Sequence, residues 1–141
     1  MKRHPSLAPL SRDHHDALLL ASQLRRATAA TAPAMAQLLL AEWETEERMH
    51  FRIEEEILLP AYAAHGRPDE PAIMQMLLDH MLIRCEIAAI ANAPELDRLH
   101  RLGERLAAHV RLEEREVFPL IERTIPEAEL RIVGERLAST L

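Results

Sequence analysis

Two stretches of the chain share one pattern: HFRIEEEILLP, residues 50–60, and HVRLEEREVFP, residues 109–119. Each begins with histidine, carries glutamate four and five positions later, and ends in proline. His50 and Glu54 are therefore four residues apart, as are His109 and Glu113. Residues at that spacing stack on one face of an α-helix. The recurrence indicates that a helical unit is duplicated in the chain.

An aspartate followed by a histidine precedes each stretch. Asp13-His14 lies before the first and Asp79-His80 before the second, and the loop-forming sequence GRPDEP at residues 66–71 separates the two halves. Each half is therefore predicted to form a helical hairpin, with Asp-His early in its first helix and His-x3-Glu late in its second.

The composition favours helices throughout. The chain has only 3 glycines and 3% aromatic residues, and it is rich in Ala, Leu, Glu and Arg, which are good helix formers. We predict a first helix capped by Ser11, then helices at about 33–60, 71–92 and 94–118, and a short helix from about 126. The predicted fold is all-α, an up-down-up-down four-helix bundle with a C-terminal helix.

One domain is expected over residues 1–141, with the bundle at about 7–123 and the C-terminal helix at about 126–140. Its apolar residues Leu130, Val133 and Leu137 are expected to pack on the bundle. The formal net charge is −6, which argues against a nucleic-acid partner. A signal peptide and an apolar run of membrane-spanning length are both missing, and Cys85 is the single cysteine. We therefore predict a cytoplasmic protein without a membrane partner.

The repeated His/Glu pairs fall in phase with apolar positions, so they should face the core. His14 and His80 are likewise in phase with apolar neighbours. Burying two carboxylates among imidazoles is costly unless something compensates their charge. A histidine hydrogen-bonded to a carboxylate would explain one such pair, but the same arrangement occurs twice. A bound transition-metal pair, iron or manganese, suits the mixed nitrogen and oxygen donors.

The order His14, His50-x3-Glu54, His80, His109-x3-Glu113, with the tails EE..LLP and EE..VFP, resembles the hemerythrin-like (HHE) cation-binding domain family. The resemblance spans about residues 7–123. It implies a non-heme di-iron centre bridged by two carboxylates and an oxo or hydroxo group, for which zinc or manganese are substitutes. Glu54 and Glu113 would bridge the irons. The terminal ligands would be His14, His50, His80 and His109.

The chain departs from the oxygen-carrying hemerythrins at two points. Arg84 stands where those proteins have a second histidine on the third helix, and Glu113 follows its histidine by four residues instead of five. About two coordination positions are then left for water, an added ligand or another side chain. Glu46 and Glu47 are both candidates for that side chain. His15 is an alternative to His14, although His14 follows an aspartate as His80 does.

Three classes of function remain open at this point. The first is binding or sensing of a small ligand, such as oxygen, nitric oxide or peroxide, or the handling of iron. The second is an enzyme with peroxidase-, catalase- or oxidase-like activity, since open positions on redox-active metal permit such chemistry. The third is a helical interaction module that holds zinc or no metal. The oligomeric state is open.

Overall fold

A computed structural model describes residues 2–140, and all regular secondary structure in that range is helical. The all-helical class expected from the sequence is confirmed. Two long helices are continuous runs that include π turns, in which hydrogen bonds reach back five residues. The helices are α1 (Ala8–Arg25), α2 (residues 32–63), α3 (Pro71–Asn92), α4 (residues 96–124) and α5 (Glu127–Thr140).

Helices α2 and α4 continue through the prolines that were expected to end them. A π turn precedes each proline, Glu54–Leu58 in α2 and Glu113–Val117 in α4. Proline has no N–H and its ring crowds the carbonyl four residues earlier, and the wider π turn accommodates both features. The predicted ends near Pro60 and Phe118 are therefore wrong: α2 ends at Ala63 and α4 at Thr124.

Helix α1 begins earlier than predicted. Its N-cap is Leu7 and Pro9 lies in its first turn, so the prediction of an N-cap at Ser11 is wrong. Proline suits a first helical turn, because the N–H that it lacks has no acceptor there and its φ angle is already helical. Ser11 lies inside α1, and its hydroxyl donates to Glu114 Oε2 at 2.7 Å.

The core consists of two apolar clusters at different levels of the helix bundle. The first draws on the C-terminal halves of α1 and α3, on α2 as far as Phe51 and on the N-terminal half of α4, and it includes Leu24, Leu39, Phe51, Ile87 and Leu102. The second draws on the opposite halves and on α5, and it includes Leu10, Leu58, Met76, Phe118 and Leu137. The order of the clusters thus alternates along successive helices. The up-down-up-down topology itself stays a prediction.

Helix α5 packs on the bundle as expected. Leu130, Val133 and Leu137 are at most 4% exposed and belong to the second cluster. Within residues 2–140, the helices lack the combination of length and apolar character that a membrane crossing requires. The division into domains, the cytoplasmic location and the expectation of no nucleic-acid partner stay predictions.

Helix α4 lies close to the backbone of α1 at Gly103. A Cβ atom at this position would lie 2.8 Å from the Ala21 carbonyl oxygen and 3.1 Å from the Arg25 nitrogen, both in the backbone of α1. Backbone atoms of a packed helix cannot move aside as a flexible side chain can. The absent side chain therefore sets the spacing of the two helices that carry His14 and His109.

We predict that Gly103→Ala destabilises the protein by about 1–3 kcal/mol, the usual cost of overpacking. The direction of the change in the free energy of unfolding is the test, because without the close contact alanine would stabilise the helix by about 1 kcal/mol relative to glycine. Urea denaturation measures the free energy of unfolding. The control is Glu104→Ala at the adjacent exposed position, expected to stay within about 0.5 kcal/mol of the parent. Increased stability of Gly103→Ala would contradict the close helix contact.

Candidate metal centre

The six residues predicted from the sequence come together between the two apolar clusters. Helix α1 supplies one of them, α2 two, α3 one and α4 two, so four helices contribute to one buried site. Each of the six is at most 5% exposed, and both glutamates are fully buried. The six are His14, His50, Glu54, His80, His109 and Glu113.

The two glutamates lie at the centre with an imidazole on each side. Glu54 Oε2 is 3.2 Å from His50 Nε2, and Glu54 Oε1 is 3.2 Å from His80 Nε2. Glu113 Oε1 is 2.9 Å from His14 Nε2, and Glu113 Oε2 is 2.9 Å from His109 Nε2. Each carboxylate therefore spans two histidines from different helices.

These atoms form two donor sets that share both glutamates. One set is His14, His50, Glu54 and Glu113, and the other is His80, His109, Glu54 and Glu113. Within each set, one ligand atom from every residue lies within 4.8 Å of the others. Each set has the size and composition to surround one metal ion, and the shared carboxylates are placed between the two positions.

A second layer of carboxylates holds the outer nitrogen of every imidazole. Each histidine turns Nε2 toward the centre and pairs Nδ1 with a carboxylate oxygen. The pairs are His14 with Glu114 at 2.8 Å, His50 with Asp13 at 3.1 Å, His80 with Glu55 at 2.5 Å, and His109 with Asp79 at 3.1 Å. In the neutral imidazole, an Nδ1–H that donates outward leaves the Nε2 lone pair directed at the centre. This is how proteins commonly orient metal-ligating histidines.

The outer carboxylates are themselves fixed. Arg84 donates to both oxygens of Glu55, at 2.8 and 3.2 Å. Gln75 Nε2 donates to Asp79 Oδ1 at 2.7 Å, as Ser11 does to Glu114. Arg84 therefore holds a carboxylate of this outer layer and contributes no donor atom to either set.

Charge has a strong effect on proton binding in the site. Burial acts to lower the pKa of His14, His80 and His109, but the surrounding carboxylates outweigh it and raise the pKa to about 9, 11 and 9. The pKa of His50 is raised well above its usual value by the same balance. Burial acts to raise the pKa of Glu113, yet the facing imidazoles hold it well below its usual range. Without metal at neutral pH, protons on the imidazoles therefore compensate the buried carboxylates.

Most of the inward atoms lack a hydrogen-bond partner among residues 2–140, although they lie close together. They are Nε2 of His50, His80 and His109, both oxygens of Glu54, and Oε2 of Glu113. Buried polar atoms are normally satisfied, so a convergent group of unsatisfied atoms needs a further partner. Imidazole nitrogen and carboxylate oxygen are donors that iron, manganese and zinc accept. The residues present therefore fit a transition-metal centre.

The structure separates the alternatives that the sequence left open. His14 is buried in the site, whereas the adjacent His15 is exposed. Glu46 is exposed and Glu47 is buried, but neither belongs to the two donor sets. Three other histidines lie at the periphery: His100 contacts the Ala27 carbonyl, His65 contacts Glu129, and His4 contacts Glu127.

The four outer carboxylates were not predicted, although the sequence carries a signal for them. The aspartate precedes the histidine in both halves, and a second glutamate follows the first in both. The duplication therefore repeats the outer layer together with the inner one. The packing of the helices decides which outer carboxylate pairs with which histidine, because the partners lie on different helices. Asp13 of α1 pairs with His50 of α2, and Glu55 of α2 pairs with His80 of α3.

Comparison with known proteins agrees with this geometry. The model of the hemerythrin HHE cation binding domain matches residues 7–121. No curated protein and no solved structure matches the chain. The match covers the six central residues and the four outer carboxylates, and it extends over more than half of the sequence. The chain belongs to the hemerythrin HHE cation-binding domain family.

Proposed function

We propose that this chain is a non-heme di-iron protein that binds a small ligand at its buried centre. One observation carries the proposal: the two donor sets share Glu54 and Glu113 and contribute two imidazoles each. Two metal ions would be held by two imidazoles each, and both would draw on the carboxylates of Glu54 and Glu113. Four imidazoles and two carboxylates form a mixed donor set that suits iron, with manganese and zinc as substitutes.

The protein's own contribution is to hold the donors, orient them and limit water. The outer carboxylates keep each Nδ1 occupied, so that Nε2 is the atom available for metal. The apolar clusters on both sides limit the access of water. When bound, a pair of irons supplies redox equivalents and coordination positions that the side chains do not fill.

The space beside the site favours a very small ligand. A narrow apolar cavity is lined by Leu20, Leu39, Trp43, Glu47, Phe51, Ile83, Ile87, Leu102 and Leu106. It has room for about one water-sized molecule. Phe51 in its wall stacks on His80, with the ring centroids 3.9 Å apart. These features support dioxygen, nitric oxide or peroxide as the ligand, for sensing, carriage or the handling of iron.

The ligand set predicts how metal content responds to single substitutions. His14→Ala should lower the iron content from two ions per chain to one or fewer, because it removes an imidazole from one donor set. His15→Ala is the matched control one residue away, and it should retain both ions because its side chain is exposed. Elemental analysis after anaerobic loading and desalting measures the content, and circular dichroism checks that the fold is retained. Equal content in the two variants would contradict the ligand set.

The raised pKa values predict a specific pH dependence. Protonated imidazoles stabilise the metal-free fold most below about pH 6.5, and this contribution is lost as the pH rises through about 9, where His14 and His109 deprotonate. Metal-bound imidazoles carry no proton on Nε2, so the loaded form lacks this dependence. The melting temperatures of the two forms should therefore diverge from pH 7 to pH 9.5. Parallel melting curves over that range would contradict the assignment.

An enzymatic role is the second candidate, and the placement of Arg84 favours it. Because Arg84 donates to Glu55 and is outside both donor sets, the six central residues alone leave more open positions on the irons than a five-histidine centre would. Turnover of peroxide or oxygen needs such positions.

Exposure of the reduced, iron-loaded protein to oxygen and to peroxide distinguishes the two roles. Binding predicts a spectral change that reverses when the ligand is removed, with no sustained consumption. An enzyme predicts continued consumption of peroxide or oxygen at a rate proportional to protein. The His14→Ala variant serves as the site-deficient control in both assays. An unaltered spectrum with both ligands would contradict the proposed function.

A further inference from the structure

Glu47 is a buried carboxylate that the six-residue site does not use. It lies on α2 one turn before His50 and is 8% exposed, while its neighbours Glu44 and Glu46 face solvent. Among residues 2–140, its carboxylate has no hydrogen-bond partner and no ion pair; charge interactions with nearby groups are its electrostatic contacts. The Glu47 oxygens are not among the fully buried unsatisfied atoms, but a carboxylate on a residue only 8% exposed is still costly, so its retention needs a reason.

The charges around Glu47 point to one side of the centre. Burial raises the pKa of Glu47 to about 7, while the charges of His50 and His14 act to lower it. These two histidines belong to the same donor set. Glu47 also lies three residues before His50 in the same helix, which places it on the side of this donor set.

The internal duplication provides a comparison within the chain. The residue three positions before His50 is Glu47, and the residue three positions before His109 is Leu106, a core leucine 4% exposed. A leucine therefore satisfies the packing at this position in the second half. The first half places a carboxylate there, although the two halves agree in all six central residues and all four outer carboxylates.

The backbone differs at the same point. Helix α2 has an additional π turn, Trp43–Glu47, which ends at Glu47, whereas α4 is a regular α-helix over Leu96–Leu112. Single π turns inside α-helices are frequent at functional sites. The extra turn and the buried carboxylate occur together, and only in the half that carries His50.

We propose that Glu47 is a seventh metal ligand, a terminal carboxylate for the ion held by His14 and His50, so that the two metal positions are inequivalent. The inference rests on the proposed di-metal centre. Glutamate and histidine three residues apart lie on one helix face, and this spacing binds metal in other helical bundles. In the structure the Glu47 carboxylate lies outside both donor sets, so coordination requires its side chain to rotate toward the ion.

The two metal positions would then differ in how they bind metal and a small ligand. The ion beside Glu47 carries an additional negative donor and is retained more tightly. The ion beside His80 keeps the larger number of open positions, and Phe51, which stacks on His80, lines the narrow cavity together with Glu47. A small ligand therefore binds at the His80 and His109 position.

The test uses anaerobically iron-loaded protein exposed to graded concentrations of an iron chelator. The variants are Glu47→Gln, which keeps the shape, Glu47→Leu, which copies Leu106, and the exposed control Glu46→Gln. Iron per chain is expected to fall in two steps in the parent. Both Glu47 variants should weaken the tighter step about 10- to 100-fold, the range that the loss of even an outer partner of a ligand produces. Glu46→Gln should match the parent.

The melting temperature of the metal-free variants provides an independent readout. Glu47→Leu removes an unpaired buried carboxylate, so its metal-free form should melt at the same temperature as the parent or higher. Weaker iron retention together with undiminished metal-free stability supports the ligand role. Unchanged retention in both Glu47 variants overturns it, as does a parallel loss of retention and stability in both. A parent that retains no iron overturns the proposed function itself, which is a distinct result.

Discussion

The fold depends on the burial of two carboxylates, Glu54 and Glu113, in the middle of a helix bundle. Both are fully buried, so charge of the opposite sign must reach them inside the protein. Protonated imidazoles from four helices supply it without metal, and metal ions held by the same imidazoles would supply it in the loaded form. Every helix from α1 to α4 is fixed in rotation by this requirement, because each must turn its histidine toward the same point. The apolar clusters on either side then limit the access of water.

The outer carboxylates make the site suited to exchanging protons for metal. Without metal, the neighbouring carboxylates raise the pKa of all four imidazoles, which favours their protonated form. Metal ions would displace the protons on Nε2 and bring positive charge in their place. The buried negative charge therefore faces positive charge in both states. Arg84, Gln75 and Ser11 hold the outer groups in both states.

The sequence predicts a large part of this arrangement. The duplicated His-x3-Glu pairs place His50, Glu54, His109 and Glu113 on helix faces, and the structure brings them together with His14 and His80. The continuation of the helices past Pro60 and Pro119 could not be predicted, because a π turn that accommodates proline depends on packing around the turn. The role of Arg84 was also inaccessible, since it requires knowing that α2 and α3 bring Glu55 within its reach. The sequence named Glu47 as a candidate, but only its burial beside His50 distinguishes it from the exposed Glu46.

The most direct test of the central claim is anomalous diffraction at the iron absorption edge from crystals of the anaerobically loaded protein. The account predicts two anomalous peaks per chain within the bundle. One peak lies between the Nε2 atoms of His14 and His50, the other between those of His80 and His109, and both adjoin the carboxylates of Glu54 and Glu113. A single peak, or iron bound only at the protein surface, would contradict a dinuclear centre built from the duplicated segments.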